Sequence, residues 1–246
     1  MSKRCSHTYP SVSMKPQWRG MDAAAIPIRN RALVSLLAST GVRGAEICRD
    51  TEDDRDGRQG LWWGRVDLEN GALRVLGKNQ QWEYAQLPSQ AQDHLRRHYD
   101  VQQPASNDWP VFPTAHVPSL YRTIRRELRE RGWEDSATES LLDDQPPKEI
   151  LREHDISPPA ITVRGARTLM KRLCEQAEID VEGGYLKPHG ARRGLGDLLY
   201  RESAELAQSA LRHESIRTTH DAYSHIDASE TAEAVSDVLS GAWKNK

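Results

Sequence analysis

The chain has 246 residues, of which 37% are hydrophobic and 28% charged, and its formal net charge is −2; that length can bury a substantial core as one large domain or two small ones. No apolar run reaches the roughly 18–20 residues that a membrane span needs, and the opening MSKRCSHTYP lacks a signal-like apolar stretch, so membrane, secreted and low-complexity classes are excluded as expectations. Three widely spaced cysteines, Cys5, Cys48 and Cys174, make neither a disulfide framework nor a clustered metal site, and they read as reduced thiols in a cytoplasm.

In chain order, residues 1–20 contain Pro10, Pro16 and Gly20 without periodicity and read as a tail or linker before a domain over 21–246. From Pro27, apolar Ile28, Ala32, Leu33, Leu36 and Leu37 recur at helical spacing until Gly41, so a helix is expected there, with a short one following over 44–49. Strand-like runs over 61–67, 72–76 and 82–87, separated by turn residues, predict a small antiparallel meander. Ser89 is the expected N-cap of a helix through His98. Further helices are predicted over 119–131, 162–177, 190–202, 204–211 and 229–239. The stretch over 133–160 is acidic and carries Pro146, Pro147, Pro158 and Pro159; it reads as a partly mobile insertion with one short helix near 148–154. The expected class is mostly α with a small three-stranded antiparallel sheet (α+β).

The near-neutral total charge conceals an uneven distribution. Residues 133–160 hold eight carboxylates against two basic residues, and residues 49–59 hold five against three. Both segments read as loops, and the remaining chain carries a net positive charge. Two arginine-rich clusters stand out: Arg122, Arg125, Arg126, Arg129 and Arg131, and Arg164, Arg167, Lys171 and Arg172. A clustered basic face is what phosphate binding requires, although either cluster alone also suits a solvated helix face.

Four short segments carry candidate chemistry. In Thr40-Gly41-Val42-Arg43-Gly44-Ala45-Glu46-Ile47 an arginine and a carboxylate lie three apart on one helix face, which by itself also describes a surface ion pair. Gly77-Lys78 puts a lysine at a strand–turn junction. His189-Gly190-Ala191-Arg192 sets a histidine and an arginine at a helix start, where free amides favour an anion. Leu211-Arg212-His213-Glu214-Ser215-Ile216-Arg217-Thr218-Thr219-His220-Asp221-Ala222-Tyr223 adds a histidine and a tyrosine. Together these supply two arginines, a lysine, two histidines and a tyrosine. Arginine's planar fork matches the charged oxygens of a phosphodiester transition state, so two of them can stand in for a metal ion. A tyrosine hydroxyl of pKa near 10 can attack if activated, and a lysine can protonate the leaving oxygen.

These segments, in this order, resemble the catalytic domain of the tyrosine recombinases, the lambda-integrase-like phage integrase family, from about Met21 onward. The resemblance implies that fold, and a metal-independent enzyme without a nucleotide or other cofactor that breaks and rejoins double-stranded DNA. It implies Tyr223 as the nucleophile forming a 3′-phosphotyrosine, Arg43 and Arg192 as the phosphate clamp, and Lys78 as the general acid. His189 would assist proton transfer, His213 would hydrogen-bond the phosphate, and Glu46 would orient Arg43. Arg122, Arg125, Arg126, Arg164, Arg167, Lys171 and Arg193 become candidate DNA contacts, to phosphates rather than bases. A homo-tetramer on DNA passing through a Holliday junction is implied, with apolar Ala232, Val235 and Leu239 of the last predicted helix docking on a neighbour. The setting would be a prokaryotic or viral cytoplasm, and the biological context a mobile element.

Three features depart from the family pattern. The separate helical DNA-clamping domain that usually precedes the catalytic one has only about twenty residues in its place, which predicts weaker and strongly salt-dependent DNA binding. Arg212 stands where the family mostly has glycine; if positive φ is required there, the backbone is strained and His213 could be displaced. The acidic insertion could repel DNA or shield the site. Alternatives to a recombinase are a topoisomerase-like nick-and-reseal activity and a non-catalytic DNA-binding remnant.

Overall fold

The computed structural model describes residues 25–224 apart from residue 182, together with Ile226, Ala232, Val235 and Ser236. The 1–20 tail, Leu239 and most of the expected 229–239 helix lie outside the described residues; Val235 is exposed. Helix α1 spans Ala25–Ser39 and buries Leu33, Leu36 and Leu37, the stripe its 3.6-residue period presents. Gly41 follows at φ 64, a left-handed turn that glycine makes without strain. Helix α2 (Gly44–Ile47) begins three residues later.

The sheet is a meander of β1 (Val66–Asp67), β2 (Ala72–Leu76) and β3 (Trp82–Gln86), in that order. Val75 pairs with Glu83 and Leu76 with Trp82, so alternation turns Trp82, Tyr84 and Gln86 outward and Glu83 and Ala85 toward the protein. The strand expected over 61–67 shrinks to its last two residues. Trp63–Arg65 is a 3₁₀ turn, because its amides bond to the 107–109 segment: Trp63 N donates to Trp109 O at 3.0 Å and Gly64 N to Asn107 O at 2.9 Å.

Helix α3 covers Ser89–Gln102, with Pro88 rather than Ser89 at its N-cap and no side-chain cap. Helix α4 spans Val117–Glu130. The acidic segment is not the loop its composition suggested. It folds into α5 (Asp135–Asp144) and α6 (Pro147–Glu153), which bury Leu142, Ile150 and Leu151, with Ile156 just beyond, in the same core as Ile124 and Leu128 of α4. Sparse apolar residues at helical spacing were enough, since the carboxylates occupy only the outer faces.

Helix α7 (Val163–Gln176) starts at Thr162, whose hydroxyl accepts from Gly165 N at 2.9 Å. Helices α8 (Pro188–Glu202) and α9 (Ala204–Leu211) follow, and residues 216–224 form a further helix, α10, that the sequence reading left unassigned. Two cores result. The large one joins α1, the sheet, α3, α4, α5, α6 and α7. The small one holds Tyr200, Ala207, Leu211, Tyr223 and Ile226.

Candidate active site

Arg43 is the N-cap of α2, in extended conformation. Its amide donates to Glu46 Oε2 at 2.8 Å and its Nη1 to Oε1 at 2.7 Å. A carboxylate at the third helical position thus satisfies an otherwise orphaned amide and holds the guanidinium. The Glu46 side chain is 1% exposed against 31% for Arg43, so the pair anchors on its carboxylate and offers its arginine to solvent. The start of α8 abuts that of α2: a β-carbon on Gly44 would lie 3.5 Å from Pro188. His189, the residue after Pro188, is exposed in the first turn of α8.

Arg192, one turn further along α8, is buried. Its guanidinium donates to the carbonyls of Gly41 and Leu211, tying the ends of α1 and α9 together. Burial, then the charges of Arg43 and Arg212, lower its pKa to about 10, which leaves it cationic at neutral pH. His213 Nδ1 contacts Thr219 Oγ1 at 3.0 Å. Burial first, then Arg192 and Arg43, hold its pKa below the ordinary histidine value. The ring is then neutral at pH 7, and when Thr219 donates to Nδ1 the proton sits on Nε2, a ready donor to an anion.

Lys78 is exposed in the β2–β3 turn. Arg43, Lys78 and His213 line one cavity of about 390 Å³ together with Asn79, Glu83, Arg212, Glu214 and Thr218. Glu83 is the cavity neighbour that sequence reasoning missed, and Arg212, noted there only as a departure from glycine, also lines the cavity. Arg212 has φ 54 and ψ 49, the left-handed geometry anticipated for that position, which costs a residue with a β-carbon about 1–2 kcal/mol. His213 nonetheless remains in the cavity wall.

Tyr223 does not line that cavity. Its ring is 4% exposed, 5.5 Å centroid to centroid from Tyr200, and its hydroxyl rests on α8 where Gly196 leaves room: a β-carbon there would lie 1.8 Å from Oη. Burial raises its pKa, Asp197 adds to this, and Arg192 and Arg193 oppose it. Arg192 is the hinge of the arrangement, since its charge acts on both His213 and Tyr223. Tyr200 Oη lies 2.7 Å from His220 Nδ1, a second tie between α8 and α10.

The candidate DNA contacts divide into two groups. On α4, Arg125 forks onto Glu139 of α5 at 2.6 and 2.8 Å, and Arg126 bonds Glu127 at 2.7 Å. The neighbouring Arg129 reaches Asp135 at 3.0 Å, so the acidic segment balances the α4 cluster rather than covering the cavity. Arg122 is exposed on that helix. On α7, Arg164 and Arg167 are exposed and Lys171 lies 3.8 Å from Glu175; Arg193 is exposed on α8.

A small three-stranded sheet against helices, with two arginines, a lysine and a histidine around one cavity, defines an α+β domain. Residues 19–230 match the model of the Phage integrase family, and the chain belongs to that family. It is 35% identical over 202 residues to the tyrosine recombinase XerC of Xylella fastidiosa (strain 9a5c), covering 81% of this chain and 49% of that protein. It is 24% identical over 197 residues to the tyrosine recombinase XerD of Xanthomonas campestris pv. campestris, covering 78% and 46%. The chain thus spans about half the length of the curated relatives it matches. A similar fold occurs in the XerH site-specific recombinase bound to palindromic difH substrate in a post-cleavage complex, with a TM-score of 0.54 at 21% identity, covering 87% of this chain and 47% of that one. Among the described residues, no helix is long and apolar enough to cross a membrane.

Proposed function

We propose that this chain is the catalytic part of a site-specific DNA recombinase acting through a 3′-phosphotyrosine. The observation that carries the reading is the shared cavity of Arg43, Lys78 and His213, with Arg192 linking it electrostatically to Tyr223. Tyr223 Oη attacks the scissile phosphorus and forms the new P–O bond as the P–O5′ bond breaks. The tyrosyl proton leaves to a base, a role that suits His189, and Lys78 gives a proton to the departing 5′ oxygen. Arg43 and Arg192 stabilise the charge on the non-bridging oxygens in place of a metal ion, and His213 donates through Nε2. The phosphotyrosine conserves the bond energy, so a 5′ hydroxyl reverses the step and reseals a strand without a nucleotide cofactor.

Because Tyr223 is covered by α8, attack requires α10 to move so that the hydroxyl leaves Gly196 and reaches the cavity. Phosphate contacts are assigned to Arg164, Arg167, Lys171, Arg193 and Arg122, whose heads are the more open, with Arg125 and Arg126 joining only by exchanging their carboxylate partners. Double-stranded DNA is the substrate, and four copies assembled on two duplexes would exchange strands in the cytoplasm of a cell or virus host.

The test is covalent trapping. Supercoiled DNA from the chain's own genetic neighbourhood is incubated with the protein in EDTA, quenched with detergent and compared with Tyr223→Phe. An adduct and relaxed circles from the unsubstituted protein alone are expected. An adduct from the phenylalanine variant would assign the chemistry to another residue, and DNA binding without any adduct would make the chain a binding remnant.

A further inference from the structure

Arg212 occupies a left-handed backbone position at the end of α9, where a side chain is tolerated only if its surroundings hold it. Its surroundings do. The side chain is 8% exposed, with Nη2 2.6 Å from Glu46 Oε2 and Nε 3.0 Å from Glu83 Oε2. Glu46 is the carboxylate that orients the Arg43 guanidinium. Glu83 lies on β3, and its carboxylate fills the space that Gly77 leaves: a β-carbon there would sit 2.2 Å from Glu83 Oε1. Gly77 directly precedes Lys78, and Arg212 directly precedes His213. One guanidinium therefore ties together the three segments that bring Arg43, Lys78 and His213 to the cavity.

We propose that Arg212 is a positioning residue: through Glu83 it latches the β2–β3 hairpin, and Lys78 with it, against the Arg43 pocket. The inference rests on the reading above in giving Lys78 the proton-donor role. Without Arg212, Glu46 keeps Arg43, but the half-buried Glu83 carboxylate loses its ion pair beside the Gly77 backbone and is better solvated if the hairpin swings out. The base of the hairpin stays fixed by Arg58, which donates to the carbonyls of Leu76 and Gly77 at 2.8 Å each. Only the turn beyond Gly77 is freed.

The experiment has two arms, each with Arg212→Gly and Glu83→Ala. In amide hydrogen exchange on free protein, both variants should speed exchange at residues 78–82 by about tenfold while α3 is unchanged. In the second arm, cleavage is measured on an oligonucleotide spanning the trapped site, and on one with sulfur replacing the bridging 5′ oxygen, whose thiolate leaves without a proton. Both variants should cleave the oxygen substrate about tenfold more slowly and the sulfur substrate at the unsubstituted rate, as expected for loss of proton donation alone. Unchanged exchange at 78–82 in both variants overturns the latch. A defect that persists on sulfur also overturns it, since Arg212 would then act on the phosphate. If the unsubstituted protein forms no adduct, the proposed function fails, and the exchange arm still decides whether the latch exists.

Discussion

The cavity side and the tyrosine side of the site are built on unequal foundations. Arg43 and Lys78 stand on elements rooted in the large core, which runs from Leu33 through Leu73 and Phe112 to Ile124. Tyr223 is held, among the described residues, by a small cluster of Tyr200, Ala207, Leu211 and Ile226, with Leu199 and Ala204 packed against it. On the proposed function, the half assigned to the phosphate is thereby preset, at no reorganisation cost when charge develops. The proposed nucleophile sits on the part that can detach at lower free energy. The difference matches two requirements: donors must not move, whereas a buried hydroxyl must.

Cutting the large core should give the largest loss of stability. Ile124 is fully buried, and Ile124→Ala should cost about 2–5 kcal/mol in chemical denaturation by lost transfer energy and a cavity. A two-state loss of all signals together is expected. Leu211→Ala, by contrast, should speed amide exchange in α10 well before global unfolding.

Acid should attack the same core through His98. Its Nε2 donates to Val111 O at 2.6 Å and its Nδ1 is buried with no partner among the described residues, and burial lowers its pKa from 6.5 to about 4. The unfolded chain therefore binds more protons between these values, and stability is complete above about pH 6.5 and falls toward pH 4. The loss is up to about 3 kcal/mol. Denaturation midpoints across that range should flatten in His98→Gln.

Gly196→Ala sharpens the contrast from the other side. Alanine normally favours a helix over glycine by about 1 kcal/mol, yet here its β-carbon collides with Tyr223 Oη. Overpacking should cost about 1–3 kcal/mol and should push Tyr223 into solvent, read as faster nitration of that ring with the large core unaffected. The smallest effect belongs to the rim. Arg125 is 44% and Glu139 55% exposed along their side chains, so Glu139→Ala should change stability by less than about 1 kcal/mol. It should also strengthen DNA binding and steepen its salt dependence by freeing a cation.

Much of this was legible in the chain order of residues. The α1 stripe, the β2 run and the α9 span follow directly from periodicity and punctuation, and Arg43-x-x-Glu46 is a local capping pair that needs no tertiary partner. Helix α10 was not legible because the run from Ile216 to Tyr223 has almost no apolar stripe; it is a helix because Tyr223 docks on Gly196. The short helix expected near 148–154 is α6, whereas α5 was obscured by carboxylates whose partners, Arg125 and Arg129, lie on another helix.

The sequence by itself determined the residue types: the arginines, lysine, histidines and tyrosine in a recognisable order. Only the tertiary structure decided that Arg212 closes onto Glu46 and Glu83, and that Tyr223 is sheltered while Lys78 is exposed. Such facts depend on which side chains distant in sequence share low-dielectric space, where a charge must find its opposite or leave. No local pattern records that choice.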